Sequence, residues 1–351
     1  MKRQIKSKIG LSSYASLIDF FFTLAGAIVN YPCPDKNWKP FAIRAGDELL
    51  RQEKIDAIIS SSPPVTSHLI ASELRRRYKI PWIADLRDLW SQNHNYSYGP
   101  LRKAFDRRLE RKIFSATDAL ITVSQQWAEK LEALHKGKMI CTITHGFDPK
   151  EINIPPVQLT PKFTITYTGS IYTGKQDPTK LLVALNALIS DGVMQPGDIE
   201  VSFYGSKVDW LDNEIERRGL SRIAKQYGGV PREVALQKQR QSQLLLLLDW
   251  DSKEETGVYT GKIYEYLAAR RPILAIGGSI NSVVHTLLIE TKAGVHAPSV
   301  DDIKNILRNL YLEYKAKGEA VYQGIDAEVN KYSHREMARK FADILDCIVK
   351  K

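Results

Sequence analysis

The sequence predicts a two-domain α/β protein built from parallel strand–helix units, and three observations carry that prediction. Short apolar, strand-like runs alternate with helical stretches along most of the chain, the pattern of parallel sheets covered by helices. The 351 residues exceed what one compact core usually holds and suit two. Ile152-Asn-Ile-Pro-Pro-Val-Gln-Leu-Thr-Pro161 carries three prolines and no helical period, as expected of a connection between domains.

In the first half the expected strands are Ala57 to Ser60, Trp82 to Asp85, Ala119 to Val123 and Ile140 to Thr144. In the second half they are Phe163 to Tyr167, Glu200 to Tyr204, Leu244 to Leu248 and Pro272 to Ile276. Met337, Phe341, Ile344, Leu345 and Ile348 form one apolar stripe on a helix over Ser333 to Lys351. The expected domains are 1–152 and 163–328, joined by a linker over 153–162 and followed by a terminal helical segment over 329–351. The chain has no internal repeat and no low-complexity tract.

The most informative stretch runs from Gly257 to Pro272. Lys262 and Glu265 stand one helical turn apart, so both face the same way, on a helix leading into a buried strand. A cation for phosphate and a carboxylate for a ribose diol, delivered together at the carboxyl edge of a sheet, make a nucleotide-recognition pair. Elsewhere such a pair would be a solvated helix face. A second element argues otherwise here. The run Phe163 to Tyr167 leads into Thr168-Gly169-Ser170-Ile171-Tyr172-Thr173-Gly174-Lys175-Gln176, and Asp177-Pro178-Thr179 reads as a helix start. Exposed amides and the helix dipole would attract a diphosphate there, with Lys175 adding charge.

At these residues the chain resembles the GT-B glycosyltransferases, in particular the retaining family 4 group that uses nucleotide-sugar donors. The resemblance also rests on Asp56 to Pro64, Ile80 to Trp90, Ala119 to Ser124, His145-Gly-Phe-Asp148 and Tyr167 to Tyr172, in that order, and covers about residues 40 to 350. It implies two Rossmann-like domains, with the terminal helix crossing back onto the first. It implies transfer, with retention, from a nucleotide-diphosphate sugar to a glycan or lipid-linked acceptor in capsule, exopolysaccharide or lipopolysaccharide assembly. No metal cofactor is implied, since helix dipole and basic side chains stabilise the departing diphosphate. The donor side falls on Gly169, Ser170, Tyr172, Lys175, Gly205, Val230, Lys262 and Glu265. The acceptor side falls on Asp85, Asp88 and His94.

The chain departs from the family in three places. Only 55 residues precede Asp56, and they contain no strand and glycine-rich loop, so the N-terminal sheet is expected to be incomplete. The first of the paired family carboxylates falls on Gly257, leaving Glu255 as a substitute. Arg87 stands where a histidine is usual, and His145 where asparagine is usual. Arg87, His145 and Glu255 are the catalytic candidates. Arg87 cannot relay protons at neutral pH and is expected to bind phosphate or acceptor, or to pair with Asp85 or Asp88.

Two readings from other classes remain open. One is a truncated GT-B-like chain that binds a nucleotide or partner and transfers nothing. The other is a P-loop NTPase, since Gly169 to Lys175 fits GxxxxGK, although Gln176 replaces the magnesium-binding hydroxyl residue.

The net charge of +10, from 50 Lys plus Arg against 40 Asp plus Glu, favours anionic partners. Arg75-Arg76-Arg77-Tyr-Lys79 and the cations from Arg102 to Lys112 are read as docking to an anionic membrane or, equally, as solvated helix faces. Nucleic acid is not expected, because aromatic platforms are missing from these clusters. Cys33, Cys141 and Cys347 are odd in number and widely spaced, which points to a reducing compartment and to neither disulfides nor metal. Met1 to Lys8 is basic, and Leu17 to Val29 is apolar but interrupted by Asp19. This predicts a helix packed on the domain or lying on the inner membrane surface of a cytoplasmic enzyme, not a signal peptide.

Overall fold

The computed structural model describes residues 29–96, 98–151, 157–252 and 254–350. The expected N-terminal basic and apolar helix, up to residue 28, lies outside the described residues. The chain divides into two compact units, 1–142 with 343–351, and 143–342.

In the first unit, β1 (Ile58–Ser62), β2 (Trp82–Leu86), β3 (Ala119–Thr122) and β4 (Met139–Thr142) form a parallel sheet in that order. Helices α1 (Lys39–Gln52), α2 (Thr66–Tyr78), α3 (Pro100–Phe114) and α4 (Gln125–Leu134) connect or precede the strands. Both β2 and β3 are wholly buried, as central strands covered on both faces must be. Trp82 donates its indole N–H to Ser60 Oγ (2.8 Å), and Ser60 also meets His68 Nδ1 at 2.8 Å. Complete burial pushes His68 down to about 3, so it is a neutral core histidine.

The second unit holds a six-stranded parallel sheet in the order β10-β9-β8-β5-β6-β7. Its strands are β5 (Phe163–Thr168), β6 (Ile199–Tyr204), β7 (Ala224–Gly228), β8 (Leu244–Leu248), β9 (Ile273–Ile276) and β10 (Gly294–Ala297). The helices are α5 (Thr179–Ser190), α6 (Asp209–Arg217), α7 (Arg232–Gln241), α8 (Lys262–Ala269), α9 (Val283–Thr291), α10 (Val300–Lys317) and the short α11 (Asp326–Val329). The five leucines of β8 alternate between two cores. Leu244, Leu246 and Leu248 pack with Phe163, Leu181 and Val201, whereas Leu245 and Leu247 pack with Ile263, Tyr266 and Leu267.

α12 (His334–Val349) crosses the division between the units, and its residues from Asp343 onward group with the first. Of its apolar stripe, Ile348 is buried, and Met337, Phe341, Ile344 and Leu345 are half-buried. The eight expected strands all occur, within two residues at each end. The structure adds β7 and β10, the two edge strands of the larger sheet, which the sequence reading lacked.

Candidate functional site

The chain runs outward from β5 through β6 to β7, then returns to β5's other side to lay down β8, β9 and β10. The order therefore reverses between β5 and β8. At such a switch point the two connecting loops part and leave a crevice beyond the carboxyl ends of the strands, where ligands of open α/β sheets bind. Gly169 follows β5 directly, and Lys262 opens the helix after β8.

These two residues touch. Gly169 has φ +115°, and a side chain there would run into Lys262 Cε, with the ammonium 3.0 Å from the Cβ position. Its N–H donates to Tyr204 O (2.6 Å). Gly205, at φ +148°, brings the turn after β6 against the Gly169 carbonyl with no room for a Cβ. Ser170 Oγ lies 3.3 Å from Ser206 Oγ, and the Ser170 carbonyl accepts from Tyr167 OH (2.9 Å). The Lys262 ammonium stands 5.4 Å from the centre of the Tyr167 ring. Burial lowers its pKa and the nearby Glu265 charge opposes that shift, so an incoming phosphate would relieve an under-compensated cation.

Glu265 is held from two sides. Its Oε2 accepts from Gln239 Nε2 (3.1 Å), while Oε1 lies 3.7 Å from Arg232 Nη2. Arg232 also pairs with Glu151 at 2.7 Å. Gln239, fully buried, donates to Thr168 Oγ1 as well (2.9 Å), and Tyr266 OH accepts from Thr168 N–H (3.0 Å). One glutamine thus ties the end of β5 to the carboxylate. Gln239 and Tyr266 were absent from the sequence reading.

Tyr172 and Lys175 form a neighbouring group with Trp250. The Tyr172 ring, 55% exposed, lies 5.8 Å from Trp250, and the Lys175 ammonium lies 6.0 Å from the same indole. Gln176 is buried, accepts from Tyr172 N–H (3.2 Å) and donates to Leu248 O (2.8 Å). α5 begins only at Thr179. Lys175 therefore precedes the helix rather than lying in its first turn, and Gln176 braces the loop; neither has the P-loop arrangement.

Val230 is half-buried in the turn from β7 to α7. Beside it Tyr204 and Tyr227 stack at 5.0 Å and 14°. Glu255 closes a local turn by accepting the Gly257 N–H (3.2 Å). His145 is exposed, with its ring 6.2 Å from Tyr264 on α8.

In the first unit the acceptor-side candidates gather at the end of β2. Asp85 Oδ2 accepts from Ser61 Oγ (2.9 Å) and Arg87 Nε (2.8 Å), so Arg87 pairs with Asp85 inside this unit. Asp88 is half-buried, and burial raises its pKa against the influence of His94. His94 lies over Trp127 (5.6 Å). The segment carrying His94 is fastened by α3: Glu110 accepts from Ser91 N–H (3.0 Å), and Asp106 accepts from Tyr96 OH (2.6 Å) and Arg102 Nε (3.1 Å).

Among the described residues no group of three or more His, Cys, Asp or Glu could hold a metal ion. No helix of the described residues is long and apolar enough to cross a membrane.

Comparison with known proteins agrees with this architecture. Residues 24–139 match the family model described as a glycosyl transferase 4-like domain. HepE of Anabaena, solved in complex with UDP, is similar at TM-score 0.64 and 15% identity, over 88% of this chain and 82% of that one. A glycosyltransferase of Rickettsia africae gives 0.61 and 15%, over 88% and 81%. Sucrose-phosphate synthase of Thermosynechococcus elongatus gives 0.56 and 14%, over 88% and 77%. No curated protein sequence matches significantly. The chain thus has the fold of the GT-B glycosyltransferases, and its residues 24–139 match the model of a glycosyl transferase 4-like domain.

Proposed function

We propose that this protein transfers a sugar, with retention, from a nucleotide-diphosphate sugar to a glycan or lipid-linked acceptor in the assembly of a cell-surface polysaccharide. The observation that carries the reading is the contact of Lys262 with the Gly169 backbone at the switch point, with Glu265 one turn away. In this reading Lys262 and the Ser170 amide receive the diphosphate, the Gly169 amide being held by Tyr204 O, and Lys175 adds positive charge nearby. Glu265, oriented by Gln239, accepts the ribose hydroxyls, and Gly205 and Val230 border the nucleotide. Stabilising the leaving diphosphate by amides and ammonium groups is work a metal ion does elsewhere, so transfer proceeds without one.

Asp85, Asp88 and His94 serve the acceptor side, and Arg87, His145 and Glu255 are the catalytic candidates. The neighbours support the donor class, since HepE is described in complex with UDP and a pneumococcal O-GlcNAc transferase in complex with UDP and GlcNAc.

The test is release of nucleoside diphosphate from a panel of nucleotide sugars, with chelator present and lipid-linked saccharides as acceptors. One donor should be consumed, giving a product of unchanged anomeric configuration, and Lys262→Ala should lose the activity. Nucleotide binding without turnover of any donor would point instead to a non-catalytic binding protein.

A further inference from the structure

We infer that the outward face of α1 is the interface through which two copies of this chain pair about a twofold axis. The helix has two unlike sides. Ile43, Gly46, Asp47 and Leu50 are half-buried and lie on one of them. That side meets α2: a Cβ on Gly46 would stand 2.7 Å from Leu74 Cδ1, Asp47 pairs with Arg77 (2.6 Å), and Tyr78 OH donates to the Asp47 carbonyl (3.3 Å). The helix is thus held to the first unit by one side only, and no residue of α1 is buried.

The other side is apolar and uncovered. Phe41 is 70% exposed and Leu49 51%, with the exposed Ala45 midway between them. Intervals of four residues set these three in one row, and Trp38, 44% exposed, extends it by a turn. Arg44 and Glu48 are exposed along one flank of the row. Among the described residues neither forms an ion pair.

The row is complementary to itself. In an antiparallel pair related by a twofold axis, residues equally far before and after the axis meet across it. With the axis at Ala45, each copy's Phe41 meets the other's Leu49, and the small alanine lets the two helices approach closely. The same axis sets each flank against its own counterpart, so each Arg44 comes opposite the other copy's Glu48. Two ion pairs then form from four charges that have no partner within their own chain. A partner surface of a single charge sign would leave either Arg44 or Glu48 facing its like, and an anionic lipid surface would repel Glu48. The interface belongs to the first unit and is independent of nucleotide binding.

The experiment is sedimentation equilibrium of the full chain, which should show the mass of two copies. Phe41→Asp should weaken association roughly thirtyfold or more, because it places a carboxylate in the apolar centre of the interface. Arg44→Glu and Glu48→Arg should each weaken it roughly tenfold by setting like charges opposite, whereas the double exchange Arg44→Glu/Glu48→Arg should pair with itself as the original chain does. Ala45→Cys, in a Cys347→Ser background, should be joined to its counterpart by a short bis-maleimide, and adding Phe41→Asp should abolish that link. All the α1 positions are exposed, and recovery in the double exchange would establish that the single variants lose the partner rather than the fold. A full chain that stays monomeric would overturn the inference, whether lipid, another protein or the chain's own first residues occupy the row. A dimer indifferent to Phe41→Asp, or a double exchange no better than the single ones, would overturn it too.

Discussion

Replacing Gly169 by alanine tests the geometry of the donor site most sharply, because two independent costs meet at one methyl group. At φ +115° a residue with a Cβ is strained by roughly 1–3 kcal/mol. That would lower the melting temperature of a unit this size by about 2 to 12 °C. The new methyl also occupies the space of Lys262 Cε, so the lysine must swing away and carry its ammonium with it. If that ammonium binds the diphosphate, its displacement removes a charge-assisted hydrogen bond of about 1.5–3 kcal/mol, or roughly 10- to 150-fold in affinity. The two costs separate in a double-mutant cycle. Lys262→Ala removes the obstructing stem, so Gly169→Ala should cost about 1 kcal/mol less in that background, and should no longer weaken nucleotide binding further. The assay is thermal unfolding with calorimetric titration of a nucleoside diphosphate on all four proteins. Strict additivity in both measurements would refute the contact as the link between backbone and phosphate.

The remaining predictions address neighbouring features. Gln239→Leu should weaken binding of a ribonucleoside diphosphate severalfold but leave its 2′-deoxy analogue unchanged, because Gln239 acts through the carboxylate at Glu265; equal losses for both would contradict that. Asp85→Ala should destabilise the first unit by roughly 1.5–3 kcal/mol in urea unfolding, since it removes the buried carboxylate that accepts from Ser61 Oγ and Arg87 Nε. Burial pushes Asp249 up to about 6, against the hydrogen bonds of Ser282 and Trp250. Its native pKa exceeds the unfolded one, so this group's contribution is fully present below about pH 4 and is lost as pH rises through about 6. Asp249→Asn should flatten that slope in the melting of the second unit. His68 acts oppositely in the first unit: its pKa is depressed to about 3, so stability there should fall as pH drops below about 6.5.

Much of the fold was legible because its central strands cannot be anything else. Leu244 to Leu248 is a five-residue apolar run, as a strand buried on both faces must be. The missed strands are the edges. Ala224-Lys-Gln-Tyr-Gly228 exposes Lys225 and Tyr227, and Gly294-Val-His-Ala297 is four residues with glycine and histidine, so neither has an interior signal. The Lys262/Glu265 pair was readable from helical spacing and Gly169 from its place after a strand. Their contact was not, since it depends on the order of β5 and β8 in the sheet.

Gln239 left no trace in the sequence. It sits in Arg232-Glu-Val-Ala-Leu-Gln-Lys-Gln-Arg-Gln241, a polar helix in which one glutamine looks like another until packing buries it. The basic clusters carried a clue that was partly readable. Glu73 stands three and four residues before Arg76 and Arg77, the spacing of helical ion pairs. The partners Asp47 and Asp118 come from distant segments that only the fold brings near.

The central claim is that the Gly169–Lys262–Glu265 arrangement holds a nucleoside diphosphate without metal. Calorimetric titration of the purified chain with UDP, GDP and ADP, in chelator and beside a Glu265→Ala control, tests it directly. The account predicts micromolar binding of one of the three, weakened at least tenfold by the substitution. Binding of none, or equal binding by the Glu265→Ala protein, would contradict it.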